Sequence, residues 1–401
     1  MRAATESPLV AVFNLATSVG GVARVMTEVL PLLTKEFRLV VIDPYGHPDH
    51  LAMMRGLDIP VETLGRPPKR RYVGGIGTPW RPFYLAARLP WMLRTAWRLR
   101  RWVRENRPAV IWFNHLGTAH FFGRLLPRRG PALLYHAHGF RSAEEIGRRA
   151  ARFLSDRFHR IVAVSKATAG FLVEAGTDPS KVEVVYNGVD AEAIRREATA
   201  DGPPLPPRPP EAIVFVHAAV IAPYKAQHLG IEALARMPVE QNAHLWICGD
   251  VPLGGDRAYM DGLHRLVEDR GLSGRVHFLG WRHDVPRVMN AADVAILPSL
   301  YHSESFGMVL AEAMALGKPC IGSNRGGIPE VIEDGVTGIV CEPDVESLAE
   351  AFSQMAESED RREARGRAGR ERVEKLFGLG RQVEEIARMV RSATRGGRQE
   401  P

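Results

Sequence analysis

Val294-Ala295-Ile296-Leu297-Pro298-Ser299 and, just beyond it, Ser303-Glu304-Ser305-Phe306-Gly307-Met308-Val309-Leu310-Ala311-Glu312-Ala313-Met314-Ala315-Leu316-Gly317-Lys318-Pro319 decide how this chain folds. The first run is apolar, short and closed by proline and serine, the pattern of a buried strand. In the second, Leu310 to Leu316 are strong helix formers and Gly317 stands where a C-cap belongs. The unit is strand, loop, helix, strand. Such a loop points the unbonded N–H groups of the helix's first turn, and its partial positive dipole, at whatever lies over the carboxyl end of the strand; phosphate suits that place.

Glu304 lies in the loop and Glu312 inside the helix, eight residues apart. A glycosidase acid/base pair must face each other across roughly 5 to 9.5 Å. Eight helical residues rise about 12 Å and turn the second carboxylate off the azimuth of the first. The two therefore address different parts of one long ligand, or else are a helix-start charge and a solvated helix residue; spacing alone leaves both readings open.

The same alternation extends in both directions. Apolar runs at 10–14, 37–42, 109–113, 132–136, 160–164 and 182–185 read as strands, with helical stretches at 22–33 and 85–103 among those between them. A second series runs through 213–217, 244–248, 276–279, 294–297, 319–322 and 338–341. Strands alternating with helices argue for parallel sheets covered on both faces. Asp201-Gly202-Pro203-Pro204-Leu205-Pro206-Pro207-Arg208-Pro209-Pro210 is neither helix nor central strand and reads as a connector between domains. The expected organisation is α/β, two doubly wound Rossmann-like domains at 1–200 and 211–379, their carboxyl edges facing a cleft, with a last helix near 380–396 free to pack on either.

At 401 residues the chain is long enough for two cores, and no run of about 18 apolar residues interrupts it. The opening residues lack a secretory apolar stretch. Cys248, Cys320 and Cys341 sit in strand-like contexts without pairing or zinc spacing. These point to a cytoplasmic protein. The net charge of +7 is concentrated: Arg66, Lys69, Arg70, Arg71, Arg81, Arg88, Arg94, Arg98, Arg100, Arg101 and Arg104 fall in a segment with no acidic residue. Its helical part sets arginines against Leu89, Met92, Leu93, Leu99, Trp102 and Val103, a pattern of membrane-surface helices or of a solvated face packed on its own domain. A small anionic or lipid-linked acceptor, or peripheral contact with an anionic membrane at its inner face, fits the charge; no nucleic-acid reader accompanies it.

Several loops at strand ends carry residues suited to chemistry. Gly20 and Gly21, in Ser18-Val19-Gly20-Gly21, allow close backbone approach but lack the spacing of a dinucleotide fingerprint. His136 and His138 end another strand, one toward a cleft and one toward the interior, with no carboxylate or cysteine at ligand spacing. Lys225 follows the strand 213–217 and reaches a diphosphate as a point charge. Arg282 lies in the loop after 276–279 and flanks a base or ribose. No Asp-x-Asp occurs, so no metal is expected.

Glu304 and Glu312, Ser305-Phe306-Gly307-Met308, Gly317-Lys318-Pro319, Gly326-Gly327-Ile328-Pro329-Glu330, Asp334-Gly335-Val336-Thr337-Gly338, Val164-Ser165, Asn187-Gly188-Val189-Asp190 and Gly20-Gly21, taken in order, resemble the retaining glycosyltransferases of family 4, which have the GT-B fold. The resemblance runs from about Val10 to Glu350. It implies a nucleotide-sugar donor, UDP-linked in the first instance, held by the second domain, retention at the anomeric carbon, no metal or other cofactor, and a C-terminal helix returning to the first domain. It places Glu312 on the donor ribose, Glu304 beside the transferred sugar and the backbone of Phe306, Gly307 and Met308 on sugar and phosphate. Arg282 lines the base, His138 is the first-domain histidine and Gly21 lies near the diphosphate. One departure stands out: Val220 occupies the position five residues before Lys225 where the family carries arginine, leaving Arg325, His217 or a first-domain arginine to replace it. A disaccharide phosphorylase or synthase of the same fold, and a non-catalytic nucleotide-sugar-binding scaffold at a membrane, are the competing readings.

Overall fold

Strands that are apolar along their whole length, without alternation, bury both faces, and that is how they fold here. In the computed structural model, which describes residues 7–13, 21–43, 48–65, 81–139, 142–252, 255–301 and 304–396, every residue of Ala132–Ala137, Ile213–Ala218 and Ala243–Cys248 is buried. Gly20, Ser303, the basic residues from Arg66 to Arg71 and residues 73–80 lie outside the described residues.

The chain divides into two compact units, residues 1–164 with 169–185 and 382–401, and residues 165–168 with 186–381. The first holds β1 (Leu9–Phe13), β2 (Arg38–Asp43), β3 (Val61–Thr63), β4 (Val110–Phe113), β5 (Ala132–Ala137), β6 (Arg160–Ala163) and β7 (Val182–Val184). They form one parallel sheet in the order β3-β2-β1-β4-β5-β6-β7. The second holds β8 (Ile213–Ala218), β9 (Ala243–Cys248), β10 (Val276–Gly280), β11 (Val294–Leu297), β12 (Cys320–Ser323) and β13 (Gly338–Cys341), parallel in the order β10-β9-β8-β11-β12-β13. In both sheets the strand order reverses direction beside the first strand, between β1 and β4 and between β8 and β11. That reversal opens a crevice at the strands' carboxyl ends.

The proline-rich stretch 201–210 is not the boundary between units. It belongs entirely to the second, because Ala191–Ala198, the helix before it, packs on Val285–Ala291 and Met308–Ala315 of that unit. Arg208 then fixes the stretch by a two-oxygen ion pair with Asp293, at 2.8 and 3.0 Å, and by donating to the carbonyls of Ala212 and Ala291. The C-terminal helix Leu379–Gly396 contributes residues from Gln382 onward to the first unit, where Arg388 pairs with Glu183 and Arg391 with Glu36.

The helix Met308–Ala315 ends as its sequence implies. Gly317 is left-handed at φ +73, its N–H meets the Met314 carbonyl at 2.9 Å, and the Lys318 N–H meets Ala313 at 2.9 Å. This tight end is also a packing surface. A Cβ on Gly366, in the helix Glu359–Leu376, would lie 2.0 Å from the Gly317 carbonyl oxygen. Gly317→Ala is expected to destabilise the protein by about 1–2 kcal/mol through its backbone conformation, and Gly366→Ala by about 1–3 kcal/mol through overpacking. Urea unfolding measures both; an unchanged midpoint for Gly366→Ala would mean that the two helices do not meet there.

Candidate active site

The crevice of the second sheet is bounded by the segments leaving β8 and β11. After β8 the chain passes through a single turn, Pro223–Lys225, and then Ala226, which takes the left-handed φ of +57 before the helix Gln227–Arg236. A non-glycine residue in that conformation is strained, and here it fixes the direction of the lysine before it. Lys225 Nζ donates to Glu304 Oε2 from the opposite segment, and Ser299 Oγ meets the same oxygen at 3.4 Å. The two segments are joined again where the Leu300 N–H donates to the Tyr224 carbonyl at 3.0 Å. Lys225 and Glu304 side chains are only 16 and 15% exposed. The lysine and the glutamate that the sequence assigns to one ligand thus stand in contact.

Glu304 is also held through its backbone. Its carbonyl accepts the Gly327 N–H at 2.8 Å, and a Cβ on Gly327 would fall 2.2 Å from the Ser305 carbonyl oxygen. Glycine at position 327 is therefore a condition of the loop's position. Phe306 is buried, its ring 6.0 Å from Tyr186 and 5.3 Å from Phe377, so its side chain anchors the loop to the core. Gly307, at φ +92, then turns the chain into the helix beginning at Met308. The N–H groups of Leu310 and Ala311 reach the Gly307 carbonyl at 2.9 and 3.4 Å, whereas those of Met308 and Val309 come before any carbonyl the helix could offer them. Glu312 is 3% exposed, buried on a helix otherwise lined inward by Leu310, Ala311, Ala313 and Met314. A solvated surface residue it is not.

Val220, in the arginine's place, sits on a loop fastened by Gln227 Nε2, which donates to its carbonyl at 2.9 Å. Two of the substitutes for the missing arginine can be located. His217 is fully buried, and among the described residues neither ring nitrogen finds a hydrogen-bond partner. Burial, reinforced by the charge of Lys225, brings its imidazole down to about 3, so it supplies no positive charge near neutral pH. Arg325 pairs with Glu342 at 2.9 Å and donates to the Asn324 carbonyl at 2.8 Å.

Arg282, after β10, is committed to its own neighbourhood. It grips Asp284 with Nε at 2.8 Å and Nη2 at 2.6 Å, and donates to the carbonyls of Pro203 and Pro204 at 2.9 and 3.1 Å. Arg287 adds a bond to Pro203 at 2.7 Å. Beside this clamp lies a cavity of about 530 Å³ lined in part by Pro203, Trp281, Arg282, His283 and Asp284. Trp281, 60% exposed, is the loop's outward aromatic ring.

In the first unit, His138 follows the carboxyl end of β5, and its Nε2 lies 3.1 Å from Asn114 Oδ1 at the end of β4. Desolvation lowers the His138 imidazole to about 3. The pair fixes a tautomer: neutral His138 donates from Nε2, leaving Nδ1 as an acceptor. The expectation that His136 and His138 part to opposite sides is not met: two residues apart along an extended segment they share one face, and the ring of fully buried His136 lies 4.0 Å from that of His138 and 5.7 Å from that of Trp112. Gly21 is the first residue of the helix Gly21–Leu33. Among the described residues no three His, Cys, Asp or Glu side chains converge as a metal-binding group.

Two family models match adjoining parts of this chain. The model for glycosyltransferase family 4 covers residues 19–193, and that for glycosyl transferases group 1 covers residues 205–372. The chain belongs to the family 4 glycosyltransferases. Among curated relatives of this family 4 chain, D-inositol 3-phosphate glycosyltransferase of Mycobacterium marinum is 35% identical over 184 residues, 45% of this chain and 38% of the relative. The protein of that name from Mycobacterium bovis is 36% identical over 188 residues, again 45% of this chain and 37% of the relative. The chain thus spans well under half the length of the curated relatives it matches. Among solved structures, Anabaena Alr3699/HepE in complex with UDP matches with a TM-score of 0.78 at 21% identity, covering 96% of this chain and 100% of the other. A glycosyltransferase from Rickettsia africae matches with a TM-score of 0.79 at 18% identity, over 97% of this chain and 99% of the other. These likenesses show the fold, two Rossmann-like domains of the GT-B type.

Sequence places Asn114 only at the start of an irregular acceptor-reading loop, 114–120; the structure instead makes the residues from Leu116 onward helical and sets Asn114 directly after β4, at the reversal point of the sheet. Glu330 had a motif but no role; its carboxylate accepts the N–H groups of Lys166 and Ala167 at 2.7 and 2.8 Å and the Tyr186 hydroxyl at 3.0 Å. The histidines give the site a pH signature. Unfolded imidazoles titrate near 6.5 and folded His138 and His217 near 3. Between those values the unfolded chain binds protons that the folded chain refuses. Stability therefore falls as pH drops, by about 1.4 kcal/mol per pH unit for each histidine. Urea midpoints between about pH 6.5 and 5, above the carboxylate range, should show this slope, and His217→Leu should reduce it; a flat wild-type profile would refute the desolvation of these imidazoles.

Proposed function

We propose that this protein is a retaining glycosyltransferase that moves a hexose from a nucleoside-diphosphate sugar, UDP-linked in the first instance, to an acceptor hydroxyl without a metal ion. The observation that carries this reading is the meeting of Lys225 and Glu304 at the carboxyl ends of β8 and β11, beside the N-terminus of the helix that bears buried Glu312. A diphosphate over this crevice receives the lysine's point charge and the first-turn N–H groups around Phe306, Gly307 and Met308. Glu312 then accepts from the ribose hydroxyls, and the base lies toward the Trp281 and Arg282 loop. That UDP and UDP-glucose complexes exist for the Anabaena protein of like fold supports this choice of donor.

The reaction follows from these positions. The bond between the anomeric carbon and the diphosphate oxygen breaks, and negative charge grows on the leaving diphosphate. Lys225 and the helix N-terminus stabilise that charge where it develops, which lowers the barrier. The acceptor hydroxyl attacks from the face the diphosphate leaves, and its proton passes to a diphosphate oxygen. Glu304 positions the sugar and steadies positive charge at the anomeric carbon. In the described state Glu304 neutralises Lys225, so donor binding exchanges carboxylate for diphosphate on the lysine and releases Glu304 to the sugar. His138, held neutral, serves the sugar as a hydrogen-bonding partner. The acceptor is a small or lipid-linked hydroxyl compound, used by a protein in peripheral contact with an anionic membrane.

Thermal shift and nucleotide release test this reading. UDP should raise the melting temperature with the logarithm of its concentration. Lys225→Ala should weaken UDP binding about 10- to 100-fold, the loss of one charge-assisted bond. Glu304→Ala should retain UDP binding while abolishing UDP release from the matching UDP-sugar, and chelator should leave turnover unchanged. Silence with every nucleotide and nucleotide sugar would sink the assignment.

A further inference from the structure

The helix Arg81–Asn106 carries a surface that the transferase reading does not use. Its inward face, with Ala96, Leu99, Trp102 and Val103 buried, joins the core of the first unit. On the other face Leu89, Leu93 and Trp97 are 48, 52 and 58% exposed. Spaced by four residues, they form one row along the helix. Among the described residues the other large exposed apolar side chains, Val173, Val239, Trp281, Tyr301 and Val336, are scattered singly in sequence. Single exposed hydrophobics are ordinary, whereas an aligned row on one helix is an interaction surface.

Cations border this row. Arg94 and Arg104 are exposed, and Arg101 stands over the Trp97 ring at 6.0 Å. Arg98 donates to the Leu64 carbonyl at 3.0 Å and Arg100 to that of Leu125, which fixes both at the helix margins. The only acid of the helix, Glu105, lies at its end and is paired with Arg101 at 2.7 Å. The chain from Leu125 continues to exposed Arg128 and Arg129.

We propose that this face is a docking surface for an anionic lipid bilayer, with the helix lying in the plane of the interface. Leu89, Leu93 and Trp97 enter the boundary between head groups and acyl chains, and Arg94, Arg101 and Arg104 bend outward to the lipid phosphates. The charge selects this occupant: a second copy on the same face would set arginines against arginines. The row is also narrow, about 12 Å from Leu89 to Trp97, which suits shallow insertion. No helix among the described residues is long and apolar enough to cross a membrane, so the contact is peripheral. The proposal rests on this face alone, and a failure of the nucleotide tests above would leave it standing.

Flotation of the full chain with vesicles tests it, using phosphatidylcholine alone and phosphatidylcholine with about one third phosphatidylglycerol at low salt. Binding is expected to the anionic vesicles, with loss at high salt. Arg94→Gln with Arg104→Gln should weaken partitioning about fivefold for each charge removed. Leu93→Ser with Trp97→Ser should weaken it at least about tenfold. Both variants should keep the wild-type far-ultraviolet spectrum and the UDP-induced thermal shift, because these side chains face outward. Absence of wild-type binding to anionic vesicles, or undiminished binding by both variants, overturns the proposal. So does a concentration-dependent dimer in sedimentation velocity that the serine variant dissolves, which would assign the face to a second copy.

Discussion

The approach of Gly327 to Ser305 is the constraint on which the second unit's crevice depends. With a Cβ at that position 2.2 Å from a carbonyl oxygen, the segment after β12 and the segment after β11 could not share the space they occupy. Because they do share it, the Gly327 N–H fixes the Glu304 backbone, Phe306 drops into the core against Tyr186 and Phe377, and Gly307 turns into the helix. The N-terminus of that helix is aimed by this backbone hydrogen bond together with packing. Its distal end is fixed the same way, by Gly317 against Gly366, so a short helix with a buried glutamate is held at both ends by backbone contacts that only glycine permits.

Electrostatics at the crevice follows from this rigidity. A lysine only 16% exposed and lacking a counter-charge would lose much of its hydration for nothing, and Glu304 supplies that counter-charge from the opposite segment. Breaking such a pair leaves the partner charge stranded, so whatever displaces Glu304 from Lys225 must itself be anionic. The valine at position 220 sharpens that demand. His217 is kept neutral by burial and by Lys225. The lysine and the helix N-terminus are thus the positive elements that the described crevice presents.

Much of this architecture was legible because apolar runs without alternation have few alternatives. β11 and β13 begin and end where the sequence places them, and the other recognised strands differ by a residue or so at their ends. β3 escaped notice since Val61–Thr63 is a three-residue edge strand with Glu62 and Thr63 exposed, offering no apolar period to detect. The stretch 201–210 was misread for a different reason. Its prolines exclude helix and central strand but say nothing about what donates to its carbonyls, and the arginines that do so lie 78 to 84 residues away. The Lys225 and Glu304 contact has the same character, joining residues 79 apart in sequence. Sequence placed each at a carboxyl edge, where the strand order directs ligands; only the fold shows that they neutralise each other.

The histidines reveal what kind of medium these edges provide. His138 in the first unit and His217 in the second are brought to about 3 with desolvation as the leading cause in both. A site that withholds that much hydration from an imidazolium withholds it also from other charges, so a lysine or a helix dipole acting there is screened less than at an open surface. The same dryness makes an unpaired charge costly at rest, which is why Lys225 rests on Glu304. Strong stabilisation of an incoming diphosphate and self-neutralisation in its absence are therefore two results of one property, the low polarity of the buried strand ends.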